Sequence, residues 1–258
     1  MSRRIAVSGT ASGIGRALAG QLRAQGDEVV GIDLRDAEVC ADLGTRAGRE
    51  RAVREVLERT GGVLDAVVAC AGISTRTPLS VAVNFFGATE LVAGLRPALA
   101  GSSAPRAAVI GSITGTQAGA PEVVDACLAG DEAAALAAAS ARAEHGEGGR
   151  LYPASKIALA QWLRRACVTE EWAGAGIPLN AVGPGVVLTP MTTGLVEDPE
   201  LRRVMDAAVP MPLNGHARPE VVADALRWLI SAENTHITGQ VVYVDGGAEA
   251  VLRGPSVF

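Results

Sequence analysis

The sequence predicts an α/β fold, in which a doubly wound parallel sheet of about seven strands is flanked by helices within a single domain, residues 1–258. Three observations indicate this fold. Short apolar runs alternate with helix-length segments along the whole chain. A glycine-rich turn joins the first apolar run to a helix, as nucleotide-binding folds require. Hydrophobic residues make up 48% of the chain and aromatic residues only 3%, so small and branched aliphatic side chains must form the core.

Composition argues against several classes of protein. The net charge is −5 and no cluster of Lys and Arg forms a stripe, which argues against a nucleic-acid partner. An uncharged apolar run of about 18 residues is absent, so we expect no membrane span, and the N-terminus does not resemble a signal peptide. Four scattered Cys residues and three His residues without ligand spacing predict a cytoplasmic protein with no metal site.

The first predicted strand, residues 4–8, leads into a turn with the spacing G-x-x-x-G-x-G and then into a helix. Glycines let a backbone approach a pyrophosphate, and the N-terminus of the next helix supplies N–H groups and a positive dipole. An ordinary glycine-rich turn is the alternative. The cofactor contacts predicted in this turn are Gly9, Ser12, Gly13 and Ile14.

The second predicted strand, residues 28–33, ends in a carboxylate that bears on cofactor choice. Asp33 is placed to accept hydrogen bonds from the adenosine ribose, and its charge would repel a 2′-phosphate. Arg35 is a competing signal, because a guanidinium there could contact that phosphate. We expect NAD(H) as the cofactor, with NADP(H) less favoured, and add Leu34 to the cofactor contacts.

The third and fourth predicted strands, residues 38–43 and 64–70, supply further contacts. Asp42 is placed to cap the adenine. Small residues after the fourth strand would let the backbone lie flat against the cofactor. The contacts predicted from these two strands are Asp42, Leu43, Cys70, Ala71 and Gly72.

The middle of the chain predicts a long helix at residues 80–99 and a fifth strand at 107–112. Asn84 lies within the helix, where a hydrogen-bonded core amide is the simple interpretation. Ser112 closes the strand at the carboxyl edge, where α/β sheets bind ligands. Residues 118–149 predict an alanine-rich helix and then a flexible loop, an insertion that is either surface decoration or a subunit contact.

Tyr152 and Lys156 are four residues apart on a predicted helix, so their side chains project from one face. Pro153 fits the first turn of that helix. A neighbouring ammonium is expected to lower the pKa of the phenol towards the working range and to make it an acid–base group. A solvated surface pair is the alternative.

The last part of the chain adds strands at residues 177–182 and 240–244 and a helix at 219–231. Between them, residues 188–214 are rich in Met, Leu, Val and Pro. They predict a mobile apolar lid over a hydrophobic substrate. Simple packing of these side chains into the core is the open alternative.

This ordered set resembles the short-chain dehydrogenase/reductase family over essentially the whole chain. The matching elements are the 9–15 turn, Ala71-Gly72, Asn84, Ser112, Tyr152-x-x-x-Lys156, Pro184-Gly185 and Asp245-Gly246-Gly247. Residues 31–39 and 86–91, with the long stretch between Ser112 and Tyr152, are similar to the bacterial 3α-hydroxysteroid dehydrogenase/carbonyl reductase subgroup. That subgroup reduces steroid 3-ketones and other carbonyls with a nicotinamide cofactor, and uses the long stretch in dimer contacts.

The resemblance implies a role for each catalytic candidate. Tyr152 is the acid–base group, Lys156 lowers its pKa and holds the nicotinamide ribose, and Ser112 binds the substrate oxygen. Asn84 keeps a water in a proton relay behind Lys156. Further implied cofactor contacts are Tyr152, Lys156, Pro184, Gly185, Val187 and Thr189. The substrate contacts are Ser112, Thr114, Tyr152, Met191 and Leu195.

The predicted function is NAD(H)-dependent interconversion of a bulky hydrophobic ketone and a secondary alcohol, with a steroid as one candidate. The alternatives are a reductase of aryl or other non-steroid ketones and, from another class, a catalytically silent NAD-binding sensor. A homodimer is expected, with a tetramer as the alternative.

One departure from the family concerns Ala69-Cys70-Ala71-Gly72, which replaces Asn-Asn-Ala-Gly. The amides that tie the central strands in the family are therefore missing.

Overall fold

A computed structural model of the chain describes residues 2–257, so the two terminal residues of the predicted domain lie outside the described part. Its seven strands are all parallel and follow the order β3-β2-β1-β4-β5-β6-β7. They are β1 (Arg4–Ser8), β2 (Glu28–Asp33), β3 (Val39–Cys40), β4 (Ala66–Ala69), β5 (Arg106–Ile110), β6 (Leu179–Pro184) and β7 (Val241–Val244). The predicted parallel sheet is confirmed, although the third strand is shorter than expected. The order reverses between β1 and β4, and sheets wound in this way bind ligands at the carboxyl ends of such strands.

Helices cover both faces of this sheet. They are α1 (Gly13–Ala24), α2 (Arg46–Thr60), α3 (Leu79–Val81), α4 (Ala88–Leu95), α5 (Pro121–Leu128), α6 (Glu132–Glu144), α7 (Leu151–Ala166), α8 (Thr193–Glu197), α9 (Pro199–Ala208), α10 (Pro219–Leu229) and α11 (Ala248–Arg253). One core contains Leu18 of α1 and Leu226 of α10. The other contains Val56 of α2, Leu91 of α4 and Leu159 of α7. The strands between them are rich in Ala and Val, so both helix layers can approach the sheet closely.

The helix predicted at residues 80–99 is divided into several pieces. A π-helix, Ala82–Gly87, lies between α3 and α4, and a 3₁₀ helix, Arg96–Gly101, follows. Asn84 lies in the wide turn, and its side chain pairs with the backbone of Ile73 in a neighbouring loop. Such π turns occur frequently at functional sites.

The 118–149 insertion contains two helices, α5 and α6, where one helix and a flexible loop were expected. Residues 148–150 form a 3₁₀ turn, and Gly148 is buried. A Cβ at Gly148 would collide with the carbonyl oxygen of Arg76. Arg142 also pairs with both Glu122 and Glu147, which ties the helices to this turn. The predicted flexible loop is therefore wrong, because packing and ion pairs hold the end of the insertion.

Three other segments contain helical structure whose bounds the sequence does not predict. The 188–214 segment contains helices α8 and α9, and none of the residues in these two helices is buried. The helix that carries Tyr152 ends at Ala166, and a short π turn, Glu170–Gly174, follows it. Helix α11 was not anticipated. No helix within residues 2–257 has the length and apolar character needed to cross a bilayer.

Candidate active site

The glycine turn lies at the carboxyl end of β1, in the centre of the sheet. Gly9 and Gly13 have φ values of 77° and 53°, and a Cβ at Gly9 would lie 2.9 Å from the amide nitrogen of Ala71. A Cβ at Gly15 would collide with the carbonyl oxygen of Gly9. Ser12 is exposed at the N-cap of α1 and its side chain makes no capping bond. The first N–H groups of α1 are therefore open to an anion beside a backbone that only glycine permits, which fits a dinucleotide phosphate.

Asp33, at the end of β2, is joined to this turn. Its two carboxylate oxygens accept hydrogen bonds from the backbone amides of Ala11 at 2.9 Å and of Leu34 at 2.7 Å. The carboxylate is therefore fixed at the edge of the turn, and its contact with the adenosine ribose stays a prediction. Leu34 is exposed, and Ile14, in the first turn of α1, packs partly into the core.

The turn after β3 contains the predicted adenine contacts. Asp42 is exposed, and its carboxylate accepts a hydrogen bond of 2.9 Å from the amide of Gly44. Leu43 is buried in the core. The structure thus places Asp42 at the surface beside the strand ends, while the side chain of Leu43 points into the protein interior.

The tie between the central strands is made by Ser8. Its hydroxyl oxygen accepts hydrogen bonds from the backbone amides of Cys70 at 3.1 Å and of Ala71 at 3.0 Å. The Ser8 hydroxyl therefore joins the end of β1 to the end of β4, where the Asn side-chain amides of the family's Asn-Asn-Ala-Gly are missing. Burial raises the pKa of the Cys70 thiol to about 12, and the Lys156 ammonium opposes the rise. Cys70 is therefore a protonated, unreactive thiol.

Tyr152 and Lys156 begin helix α7 beside the carboxyl end of β5. Lys156 is 3% exposed, and its ammonium donates a hydrogen bond of 2.8 Å to the carbonyl oxygen of Ile110. Its Nζ lies 5.7 Å from the centroid of the Tyr152 ring. Burial lowers the pKa of Lys156 to about 8, although neighbouring Cys70 opposes this shift. A buried ammonium beside a phenol excludes the alternative of a solvated surface pair.

The expected lowering of the Tyr152 pKa is not found. Burial raises the pKa of the phenol, and a hydrogen bond with the Ser112 hydroxyl only partly offsets the rise. Burial of the phenol is the largest cause of this rise in pKa, and the ammonium of Lys156 is directed at the carbonyl oxygen of Ile110. Tyr152 is therefore a protonated phenol at neutral pH, ready to donate.

Ser112 follows β5 and caps a 3₁₀ turn, Ile113–Thr116. Its hydroxyl oxygen accepts hydrogen bonds from the amide of Thr114 at 3.1 Å and from the hydroxyl of Thr114 at 3.0 Å. These bonds occupy both lone pairs of the oxygen, which leaves the hydroxyl hydrogen free to donate. Ser112 can therefore direct its hydrogen towards Tyr152 or towards a substrate oxygen. Thr114 orients Ser112.

Asn84 is fully buried behind Lys156. Its side chain accepts a hydrogen bond from the amide of Ile73 and donates to the carbonyl of the same residue, both at 2.9 Å. The amide also donates to the Ser155 hydroxyl at 3.1 Å. A Cβ at Gly72 would lie 3.2 Å from Asn84 Oδ1 and 3.8 Å from Lys156 Nζ. The hydrogen-bonded core amide is confirmed, and the implied water relay stays a prediction.

Ser155 is a further residue of this site, and its type and position alone predict no role for it. It is fully buried, and its hydroxyl donates a 2.7 Å hydrogen bond to the carbonyl oxygen of Tyr152. Its place within the Tyr152-x-x-x-Lys156 motif was the only available signal. Ile110 was missed for another reason, since a backbone carbonyl leaves no mark on a sequence.

The segment after β6 contains the remaining predicted contacts. A Cβ at Gly13 would lie 3.2 Å from the methyl group of Thr189, so Thr189 packs over the glycine turn. Pro184 and Val187 are buried, and a Cβ at Gly185 would lie 2.8 Å from the Met211 sulfur. Met191 and Leu195, in the segment predicted to be a lid, are 44% and 41% exposed. Their contact with a substrate stays a prediction.

The comparisons with known proteins agree with this geometry. A family described as Enoyl-(Acyl carrier protein) reductase matches residues 9–249. The chain is 37% identical over 259 residues to the 3-alpha-hydroxysteroid dehydrogenase/carbonyl reductase of Comamonas testosteroni, covering 98% of this chain and 99% of that protein. An uncharacterized short-chain type dehydrogenase/reductase of Sinorhizobium fredii is 35% identical over 256 residues, covering 95% of this chain and 43% of that protein. The chain belongs to the short-chain dehydrogenase/reductase family.

A solved structure supports the assignment to this family. The 3-alpha-hydroxysteroid dehydrogenase from Pseudomonas sp. B-0831, complexed with NADH, superposes with a TM-score of 0.91 at 42% identity, covering 99% of this chain and 100% of that chain. The predicted family, subgroup resemblance and fold are confirmed. The protein is an oxidoreductase, and its cofactor is a nicotinamide dinucleotide.

Proposed function

We propose that the protein is an NAD(H)-dependent oxidoreductase that interconverts a bulky hydrophobic ketone and a secondary alcohol, with 3α-hydroxysteroids as the leading substrate class. The carrying observation is the Tyr152 phenol, which lies beside the Ser112 hydroxyl and whose ring centroid is 5.7 Å from the buried ammonium of Lys156. The printed name of the Comamonas testosteroni relative supports this substrate class.

The chemistry follows from the positions of these groups. The bound nicotinamide supplies or accepts the hydride. As a carbonyl is reduced, negative charge develops on its oxygen; Tyr152 donates a proton to that oxygen, and Ser112 donates a hydrogen bond. Lys156, with a pKa of about 8, is mostly charged at neutral pH and stabilises the phenolate that remains. In alcohol oxidation the same phenolate accepts the proton.

The choice of NAD(H) over NADP(H) rests on Asp33. Two backbone amides hold its carboxylate in place, so it cannot turn away from a 2′-phosphate at low cost. Arg35 projects into solvent with a side chain that is 86% exposed, and its nearest carboxylate, Asp36, is 3.9 Å away. Such an exposed charge is screened and does little to attract a phosphate. The NADH complex of the Pseudomonas enzyme also supports this choice.

We propose that the 188–214 segment is the substrate lid. It carries several large apolar side chains that are exposed to solvent, namely Leu188, Met191, Leu195, Leu201, Val204 and Leu213. An exposed apolar surface of this extent is typical of a binding surface. Since this segment includes Thr189, which packs over the glycine turn, it can cover an apolar substrate beside Tyr152. Aryl and other non-steroid ketones are the second candidates, favoured by the carbonyl reductase activity in the name of the Comamonas relative.

We also propose that the protein is a cytoplasmic homodimer that pairs through the insertion, with a tetramer as the alternative. Helix α6 exposes Ala133, Ala134 and Ala137, which present a flat surface for close helix packing. The four cysteines are free, which supports a reducing compartment. Light scattering on the wild type and on Ala137→Arg tests the interface. An unchanged oligomer would remove α6 from it.

Initial rates with NADH and NADPH, each against a 3-ketosteroid and an aryl ketone, test the proposed function. We expect NADH to be preferred and the steroid to be reduced. Turnover of aryl ketones alone would retain the mechanism and replace the substrate. A preference for NADPH would contradict the role of Asp33, and no turnover with any pair would contradict the proposed substrate class.

A further inference from the structure

Arg49 is a buried charge with no part in the proposed chemistry. Its side chain is 1% exposed, which makes it the largest fully buried side chain among residues 2–257. Its Nε donates to Glu90 of α4, and its Nη2 donates to Glu132 of α6, both at 2.6 Å. Its Nη1 donates to the carbonyl oxygen of Leu43 at 3.3 Å. The guanidinium of Arg49, a residue of α2, therefore joins α4, α6 and the turn after β3.

The Leu43 carbonyl belongs to the turn that is predicted to meet the adenine. This turn is tight, because the carbonyl oxygen of Asp42 accepts from both the amide and the hydroxyl of Thr45. A Cβ at Gly48 would collide with the same oxygen. A Cβ at Gly87 would lie 3.0 Å from the Leu43 oxygen. The turn is therefore closely packed, and the guanidinium of Arg49 supplies a side-chain donor to its Leu43 oxygen.

Arg49 in turn depends on its carboxylate partners. A buried guanidinium is stable only when it is paired, and removing one partner leaves charge without compensation. Glu132 is the first residue of α6, and the Asp131 side chain caps that helix through the amide of Ala134 at 2.9 Å. The Glu132 carboxylate is thus presented from a fixed helix start. The position of Arg49, and with it the Leu43 turn, depends on a helix of the insertion.

We infer that Arg49 is a positioning residue for the adenine end of the cofactor and that Glu132 couples the insertion to that end. This inference rests on the proposed cofactor site. It separates the two ends of the dinucleotide: the network touches the turn after β3, whereas Ser112, Tyr152 and Lys156 lie beside β5. A change in α6 is therefore transmitted to cofactor affinity through Arg49, and the proton-transfer groups are left in place.

The test is Glu132→Ala, with Glu144→Ala as the matched control at the exposed far end of the same helix. Dissociation constants are measured for NADH and for reduced nicotinamide mononucleotide, which lacks the adenosine. We expect Glu132→Ala to weaken NADH binding about three- to tenfold and to leave mononucleotide binding unchanged. The KM for NADH should rise by the same factor at constant kcat. Glu144→Ala should match the wild type in every measurement.

Equal weakening of both ligands, or NADH affinity equal to that of the wild type, would overturn the inference. A wild-type protein that binds no NADH would instead overturn the proposed cofactor site, and the coupling with it. If Glu132→Ala does not fold, Glu132→Gln keeps the shape of the side chain and removes only its charge. The same selective loss of NADH affinity is expected for that variant, and its absence would contradict the inference equally.

Discussion

The side-chain amide of Asn84 donates a 3.1 Å hydrogen bond to the hydroxyl of Ser155, which donates in turn to the carbonyl oxygen of Tyr152. Asn84 lies in the π turn before α4, and Ser155 lies one residue before Lys156. The bond therefore fixes helix α7, with both catalytic candidates, against the helix that carries Asn84. Both of the hydrogens on the Asn84 amide are used, since the other is donated to Ile73.

Ser155→Ala should remove this bond and leave a buried N–H group of Asn84 without an acceptor. We expect the free energy of unfolding to fall by about 1–3 kcal/mol. We also expect kcat to fall, because α7 is no longer held in place against the π turn that carries Asn84. Urea unfolding and initial rates measure the two effects. Ser140→Ala is the control, because that hydroxyl makes only a local bond to the carbonyl of Leu136. A Ser155 variant as stable and active as the control would refute the positioning role.

Tyr152→Phe should abolish turnover while leaving NADH binding intact, because the phenol is the group that transfers the proton. A loss of about 10²- to 10⁴-fold in kcat is expected for removal of a general acid. Tyr243→Phe is the matched control for loss of a phenol oxygen, since Tyr243 lies on β7, whereas Tyr152 begins α7. Rates and cofactor titrations on both variants provide the measurement. Near-normal turnover by Tyr152→Phe would overturn the mechanism.

The raised pKa of Tyr152 predicts opposite pH profiles for the two directions of the reaction. Reduction needs the protonated phenol, which dominates at neutral pH, whereas oxidation needs the phenolate, whose fraction grows with pH. Between about pH 6 and 8, kcat/KM for alcohol oxidation should rise and that for ketone reduction should stay level. Steady-state rates in both directions measure this. An oxidation rate that is already level at neutral pH would show a lowered phenol pKa.

Burial of Lys156 predicts a second pH effect, on stability. Its pKa is about 8 in the folded protein and 10.5 ordinarily, so between these values the unfolded chain binds a proton that the folded protein lacks. The free energy of unfolding should therefore rise with pH across this window, as the cost of the buried charge disappears. Relative to Lys156→Met, we expect a gain of about 3 kcal/mol. Urea unfolding of the wild type and of Lys156→Met at the two ends of this pH window is the measurement. A difference in unfolding free energy between the two proteins that stays constant with pH would contradict the prediction.

The hydroxyl of Ser8 predicts a graded pair of variants. Ser8→Ala leaves the amides of Cys70 and Ala71 without their acceptor, which should cost about 1–3 kcal/mol of unfolding free energy. Ser8→Thr keeps the oxygen and should lie close to the wild type. Chemical unfolding at neutral pH measures the free energy of unfolding of both variants. Equal stability of the two would mean that the hydroxyl does not tie β1 to β4.

Local rules explain what the sequence could predict. The glycine turn, Asp33 and the Tyr152–Lys156 spacing each depend on a few neighbouring residues, so their placement followed from the order of residue types. The side chain of Asn84, in the π turn, is instead hydrogen-bonded to the backbone of Ile73 in a separate loop. The Ser8 hydroxyl accepts from Cys70 and Ala71, which are 62 and 63 positions away. Such long-range bonds have no local pattern.

The pKa of Tyr152 was predicted in the wrong direction for the same reason. Helical spacing correctly placed Lys156 beside the phenol. It could not show that the ammonium donates to Ile110, 46 residues earlier, or how deeply the phenol is buried. The insertion was misjudged in a similar way, because the contact of Gly148 with Arg76 joins two segments that look unrelated in sequence.

The strand order also determines how the sheet can be assembled as the chain is synthesised. One edge of β1 pairs with β2, but its other edge waits until residue 66 has emerged, since Ile5 lies opposite Ala66. From then on, β5, β6 and β7 each add to the edge left by the strand before, in the order in which they leave the ribosome. Docking of β6 onto β5 should therefore be the slow step of folding, because Ala107 lies opposite Leu179, the largest sequence separation among the strand pairs.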